Sequence, residues 1–463
     1  MIRKKRMGKG IAKILSGLLV FGMVAGLVPA VPGGTVNAKA TEINGQNATA
    51  EPHTHCVCGT GNLSVERHTH KEETWTGISK LSDINREGNY YLTQDVTLTS
   101  AWTCQRNVNL CLNGHSITRT AKEYYDQNGN NAVIIIKNNV DFTLTDCKGT
   151  GTITHKQGVS GEGVYNDGRF FMYNGIIFGN NGGVKNPGMF FMYGGTITSN
   201  TANNGGGVDN AGTFTMDGGT ITSNTANNGG GVYNDNAGRF IMYGGTITGN
   251  KAEQTYGTEY GGGVYNQGTF NMYGGEITNN TATVGGGGVF NKGTFTMSGG
   301  EITSNSSESY GGGVCYSSSQ LFKMSGTVNI TENKVGTTPN NLYLWNGQQV
   351  SASGLTSGAE IGVTTQIVPI NDSSVPITSD SVSVNCFSSD KSDYETAIDE
   401  NSKVVLKKKT AVEAPSITKQ PQPVSVKVGE TATFTVVAAG TDLSYQWRVN
   451  KNDNAGFVDI VGA

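Results

Sequence analysis

Three groups of residues in this sequence have types and spacings that chemistry could use. The first is His53-Thr54-His55-Cys56-Val57-Cys58, followed by His68-Thr69-His70, which together hold four of the 6 histidines and two of the 7 cysteines. Imidazoles and thiolates at such short spacing are the ligands a tetrahedral Zn²⁺ takes. A closed set of this kind is structural, and no neighbouring Glu stands out as the base of a catalytic zinc. The competing account is a disulfide, Cys56 to Cys58 or to a distant cysteine, of the kind an oxidising compartment keeps. No cofactor beyond that zinc is expected. The second group is Glu276 and Glu301, which recur at one position of successive repeats with Asn279 and Asn280 close by. Clustered carboxylates on one outer face are what Ca²⁺ binding and proton abstraction from a polysaccharide need. Against this, Lys185 and Lys323 belong to other repeats, so no cation joins the pair, which favours reading it as a solvated Thr/Glu column. Asp209 and Asp217 share a repeat, and only His115 and His155 lie outside the leader, so no Ser–His–Asp set is available.

The third group is aromatic. Tyr173, Tyr193, Tyr243 and Tyr273 each follow the methionine of a repeat, in a series interrupted by Asp217. Phe171, Phe191 and Ile241 stand two residues earlier and share their parity. Such a stripe could stack sugar rings or seat a protein partner. The alternative is cross-strand stacking that stabilises the sheet and binds nothing. The insertion at Lys251–Tyr260 is long enough to fold over the stripe.

What positions these groups is a repeat. Between about Gly158 and Asn333 the chain rewrites one phrase, as in GGGVDNAGTFTMDGGTITSN (205–224) and GGGVYNQGTFNMYGGEITNN (261–280). Its Gly-Val pair places valine at 164, 184, 208, 232, 264, 289 and 314, in steps of 20 to 32 residues. A period in this range marks a solenoid. Within each copy, Phe-x-Met alternates with period two, Gly-Gly introduces a second short strand around Ile, and the Val of GGGV supplies a third. No copy has a glycine-free run in which a helix could sit. Three strands per coil and glycine corners predict an all-β parallel β-helix, with Val, Phe/Met and Ile in inward columns ~4.8 Å apart. A column of Asn180, Asn200, Asn224, Asn250, Asn280, Asn305 and Asn333 follows the Ile and reads as a structural amide ladder at a corner.

Composition bounds the rest. The chain has 463 residues with 67 Gly and 10 Pro, too much glycine for an ordinary globule and without the triplet of collagen. Residues 1–40 read as a signal peptide: Arg3, Lys4, Lys5, Arg6, Lys9 and Lys13, then the apolar run 14–28, then Ala38-Lys39-Ala40. The run is shorter than a membrane span needs. Its removal takes away seven basic and no acidic residues, moving the formal charge from −3 to −10. Such a surface offers nucleic acid no electrostatic attraction. The expected organisation continues with a His/Cys-rich leader (41–74), an N-terminal cap and first coils (75–157), regular coils (158–333), exit strands (334–406) and a linker (407–415). Val108-Asn109-Leu110 and Asp141-Phe142-Thr143-Leu144 fit the Phe-x-Met strand, Ile117 and Ile153 fit the Ile column, and a longer excursion lies around Tyr124–Asn131. Cys104, Cys111 and Cys147 are candidates for a disulfide. Residues 416–463, with Thr433-Phe434-Thr435-Val436 and Tyr445-Gln446-Trp447, read as the opening strands of an incomplete immunoglobulin-like sandwich.

The HTHCVCG leader, NYYLTQDVTL, LNGHSIT, the GGGVYN-GTFTMSGGTIT coils and the trailing VGE-x-ATF…YQW module together resemble large secreted surface proteins of Gram-positive bacteria. The coil motif is similar to right-handed parallel β-helices, and GGTIT resembles the repeats of polymorphic adhesin-type proteins. The resemblance implies a secreted, cell-wall-associated or extracellular molecule, adhesion to a glycan or a host or cell-surface protein, and no reaction. The same fold also carries pectate-lyase-like and glycosidase enzymes, so fold alone does not choose between them. The expectation is a non-enzymatic adhesin or display stalk, with a polysaccharide-active enzyme as the alternative and a plain spacer as a third.

Overall fold

The structure is a computed structural model that describes residues 53–55, 73–121, 131–253, 260–382, 386–409, 414–440, 443–450 and 457–460; of residues 53–55 and 73 it gives the backbone alone. The signal peptide, Cys56, Cys58, His68, His70, most of the 124–131 excursion and residues 254–259 of the insertion lie outside the described residues.

Alternating apolar side chains on short strands cannot be buried within one coil, so coils stack. Among the described residues a 33-stranded sheet results, and its parallel register sets every repeat on the one before. Three walls are recognisable. The Phe wall runs Arg169–Met172, Met189–Met192, Thr213–Met216, Arg239–Met242 and Thr269–Met272, with Phe170, Phe190, Phe214, Phe240 and Phe270 in register. The Ile wall stacks Ile117, Ile153, Ile177, Ile197, Ile221 and onward. The Val wall stacks Val164, Val184, Val208, Val232 and Val264. These three columns are fully buried and form the core. Phenyl rings in the Phe column lie face to face, 4.8 Å apart between Phe214 and Phe240 and 4.6 Å between Phe240 and Phe270.

The coils hold one more strand than the three that the phrase predicts. Thr201–Asn204, Thr225–Asn228, Lys251–Ala252, Thr281–Ala282, Ser306–Ser307 and Lys334–Val335 form a fourth, separate parallel column, part of a 7-stranded sheet. Its buried Ala252 and Ala282 pack with Tyr260 in a small cluster of their own. On the outer side of the Val wall, Tyr265, Phe290 and Cys315, which parity places outside, are buried in another apolar cluster, joined by Tyr233, Tyr310, Tyr343 and Trp345.

Both ends turn back antiparallel. His53–His55 pairs antiparallel with Glu73–Ile78, which runs parallel to Gly88–Leu92. At the far end Glu360–Thr365 serves two walls, Ile361 against Ile330 and Val363 against Leu342. An antiparallel sheet of Ser374–Pro376, Val404–Lys408 and Tyr394–Ile398 follows. Beyond residue 414 two antiparallel pairs are present, Ser416–Lys419 with Val437–Ala439 and Arg448–Asn450 with Phe457–Asp459. No helix among the described residues is long and apolar enough to cross a membrane.

The suggested disulfide among Cys104, Cys111 and Cys147 is corrected, because all three are free thiols. Cys104 belongs to the inner core, whereas Cys111 packs outside it with Trp75 and Tyr91. Cys147 is exposed, and its N–H donates to Cys111 Sγ at 3.4 Å. Burial pushes the Cys111 thiol up to about 12.

Candidate functional site

Phe-x-Met alternation leaves the residue after each methionine outside the Phe wall, and the parallel register stacks those residues. Backbone N–H groups of Tyr193, Asp217 and Tyr243 donate to the Met carbonyl of the coil before, at 2.8, 2.9 and 2.8 Å, so the three residues stand directly above one another. Tyr173 and Tyr193 stack with centroids 4.9 Å apart, and Tyr243 and Tyr273 at 5.1 Å. Beside them Phe171 stacks on Phe191 at 5.0 Å. Tyr243 is 53 % exposed and Tyr273 48 %, while Tyr173, Tyr193, Phe171, Phe191 and Ile241 are half-buried. The structure thus brings together six residues that parity alone had placed on one face: Tyr173, Tyr193, Tyr243, Tyr273, Phe171 and Phe191. Rings stacked along the solenoid axis present edges and hydroxyls to solvent. Ring faces are uncovered at the ends of the stack, next to Thr145 and Ser298, and on both sides of the break at Asp217. That carboxylate is half-buried and has no hydrogen bond or ion pair with any described residue. Burial, then the Asp217 charge, raises the Tyr193 phenol above its ordinary value.

Glu276 and Glu301 are directly paired in adjacent coils and both are exposed, with Asn329 and then Glu360 continuing the column. Among the described residues no three His, Cys, Asp or Glu side chains come close enough to hold a metal ion. His155 is buried, its Nδ1 2.9 Å from Asn180 Oδ1 and its Nε2 2.9 Å from the Asn131 carbonyl, so it caps an amide ladder. His115 lies 3.3 Å from Asp95 at the surface. In the leader, His53 and His55 lie on a strand whose side chains are not described, and Cys56, Cys58, His68 and His70 lie outside the described residues.

A second polar feature escaped the sequence reading. Where the fourth column begins, a cavity of about 250 Å³ opens between it and the Val wall, lined by Glu162, Lys185, Asn203, Asn204 and Asp209 among others. Lys185 and Asp209 are register partners on successive coils. Burial pushes the Asp209 carboxyl up to about 6, opposed by the Lys185 charge and assisted by Asp235 and Glu162. Glu162 is also raised, chiefly by burial, and its Oε2 is buried without a hydrogen-bond partner. Burial thus biases two carboxyls at the mouth of a polar cavity toward their neutral forms, with the Lys185 charge opposing it. The signal for it was present: Lys185 and Asp209 occupy the x of Val-x-Asn, where the other copies carry Tyr or Phe.

No family model, no curated protein and no solved structure matches this chain.

Proposed function

We propose that the chain is a non-enzymatic adhesin or display stalk, secreted and held at a cell surface, whose right-handed parallel β-helix presents its Phe-wall face to a glycan or a protein. The observation that carries this reading is the exposed pair of stacked tyrosines, Tyr243 and Tyr273, in line with the half-buried outer stacks Tyr173–Tyr193 and Phe171–Phe191. Large apolar side chains kept in water along one column favour a contact surface. Retention of the full chain on glycan and cell-surface-protein arrays tests it. Changing Tyr193, Tyr243 and Tyr273 together to Ser is expected to lower retention at least tenfold. Unchanged retention on every partner would exclude this face.

The register pairing of Glu276 with Glu301 supports the second reading, a pectate-lyase-like or glycosidase enzyme. Acidic polysaccharides with Ca²⁺, followed by unsaturated-uronate absorbance, would expose it. Product formation that is lost in Glu276→Gln would replace the adhesin reading.

The strands after residue 414 are proposed to open an immunoglobulin-like module, which the two antiparallel pairs and the Phe434–Trp447 ring contact at 6.4 Å support. Slow amide exchange at Val437–Ala439 is expected, and exchange at random-coil rates would oppose it.

A further inference from the structure

The break in the tyrosine stack has definite dimensions. Tyr193 and Tyr243 occupy the rungs on either side of Asp217, so their facing rings are two rungs apart, about 10 Å at ~4.8 Å per rung. The outer face of each ring is already taken: Tyr173 stacks on Tyr193 and Tyr273 on Tyr243. Stacking orients both rings, and the rung between them carries the shorter side chain of Asp217, which leaves a slot between their inner faces with the carboxylate at its base. Thr215 and Ile241 flank the slot two residues earlier in the same coils.

We infer that this slot is a binding site for a quaternary alkylammonium group, held between the faces of Tyr193 and Tyr243 above the Asp217 carboxylate. The proposal rests on the reading of the aromatic face as a binding surface and names the chemistry one point of it takes. The negative faces of aromatic rings attract a cation within about 6 Å of the centroid. A cation centred in the slot lies about 5 Å from both, so it meets two rings and a negative charge together. Size selects among cations. A methyl carbon about 1.5 Å from the nitrogen reaches either ring at the ~3.5–4.0 Å of good dispersion contact. A bare ammonium or a flat guanidinium is too thin to touch both faces at once. A neutral ligand of the same shape forgoes the charge and both ring quadrupoles. The unpaired carboxylate supplies the remaining argument, since Asp217 has no counter-ion among the described residues and a bound cation provides one.

Titration of the full chain with choline chloride, followed by chemical-shift change or calorimetry, tests the site, with 3,3-dimethylbutan-1-ol as the neutral isostere and lysine as the thin cation. Saturable choline binding is expected, at least tenfold tighter than either control. Asp217→Asn should weaken it at least fivefold. Asp217→Tyr should abolish it while leaving the melting temperature unchanged or higher, because the new ring completes the stack. Lys323→Ala, an exposed residue several coils away, should leave it within twofold. Equal binding of choline and its neutral isostere, or choline binding that persists in Asp217→Tyr, would overturn the proposal. Array retention that survives Asp217→Tyr alongside absent choline binding would refute the slot and leave the wider aromatic face standing.

Discussion

At the scale of the residue, the sharpest consequence concerns Asp209. Its carboxyl titrates at about 6 in the folded chain against an ordinary value of 3.8, because burial beside the fourth column disfavours the charged form more than Lys185 favours it. The folded state therefore holds a proton that the unfolded state has released. Its contribution is fully present below pH ~4 and is lost as pH rises through about 6. Asp209→Asn is expected to flatten that part of the profile and to raise stability at pH 8 by on the order of 2 kcal/mol, read from denaturation midpoints at pH 4.5 and 8. A residual slope of the same sign should remain from Glu162, whose carboxyl is also raised. An unchanged pH profile would place Asp209 in water. The aromatic stripe was legible at this scale because parity after Phe-x-Met is a local property. The Glu162–Lys185–Asp209 group was not, because its members come from successive coils and are enclosed by a strand the phrase did not announce.

At the scale of the element, the corner after the Ile strand decides most. Asn224 donates from Nδ2 to Asn250 Oδ1 at 3.0 Å and to the Ile197 carbonyl at 2.9 Å, and its Oδ1 accepts from the N–H and Nδ2 of Asn200, both at 3.0 Å. The same pattern recurs from Asn180 to Asn333. The residue before the amide, not the amide itself, takes the left-handed conformation, as at Ser199 (φ 56°) and Ser223 (φ 55°). Asn224→Ala would leave two buried donors and one carbonyl unpaired, and a loss of about 3 kcal/mol or more is expected. Asn203→Ala, on an exposed column, should cost under ~0.5 kcal/mol. Equal midpoints for the two variants would deny the ladder its structural weight. This column was readable from its spacing behind Ile. A second ladder, Asn166–Asn186–Asn210–Asn234–Asn266–Asn291, with Nδ2 to Oδ1 distances of 2.6–2.7 Å, lies in the Val-x-Asn triplet and passed unread. Its asparagine sits inside a strand, where the type suggests a turn. The fourth column was hidden for a related reason: Thr201–Asn204 has no apolar alternation, only the small Ala202, to announce a strand.

At the scale of the whole molecule, stability is a sum over coils and the contacts between neighbours. Removing residues 205–228 would join Asn204 to Gly229 as it is now joined to Gly205, and would set Phe190 on Phe240 and Asn200 on Asn250. Such a shortened chain is expected to fold with the same circular-dichroism spectrum and a melting temperature within a few degrees, while losing choline binding as Tyr193 closes onto Tyr243. Failure to fold would show that the coils are not equivalent. The buried amides give that equivalence a direction. Each passes its backbone N–H and one Nδ2 hydrogen to the asparagine of the coil ahead, and the series finishes at Asn341, whose N–H and Nδ2 meet the two oxygens of Asp390 at 2.8 and 2.6 Å. A carboxylate only accepts, so it closes the series, and everything before it can be copied or dropped in whole units. Gain or loss of one repeat in the coding sequence would therefore change the reach of the molecule by ~4.8 Å and leave both termini as they were. Length becomes an inherited quantity that varies in single steps, each of them a folded protein.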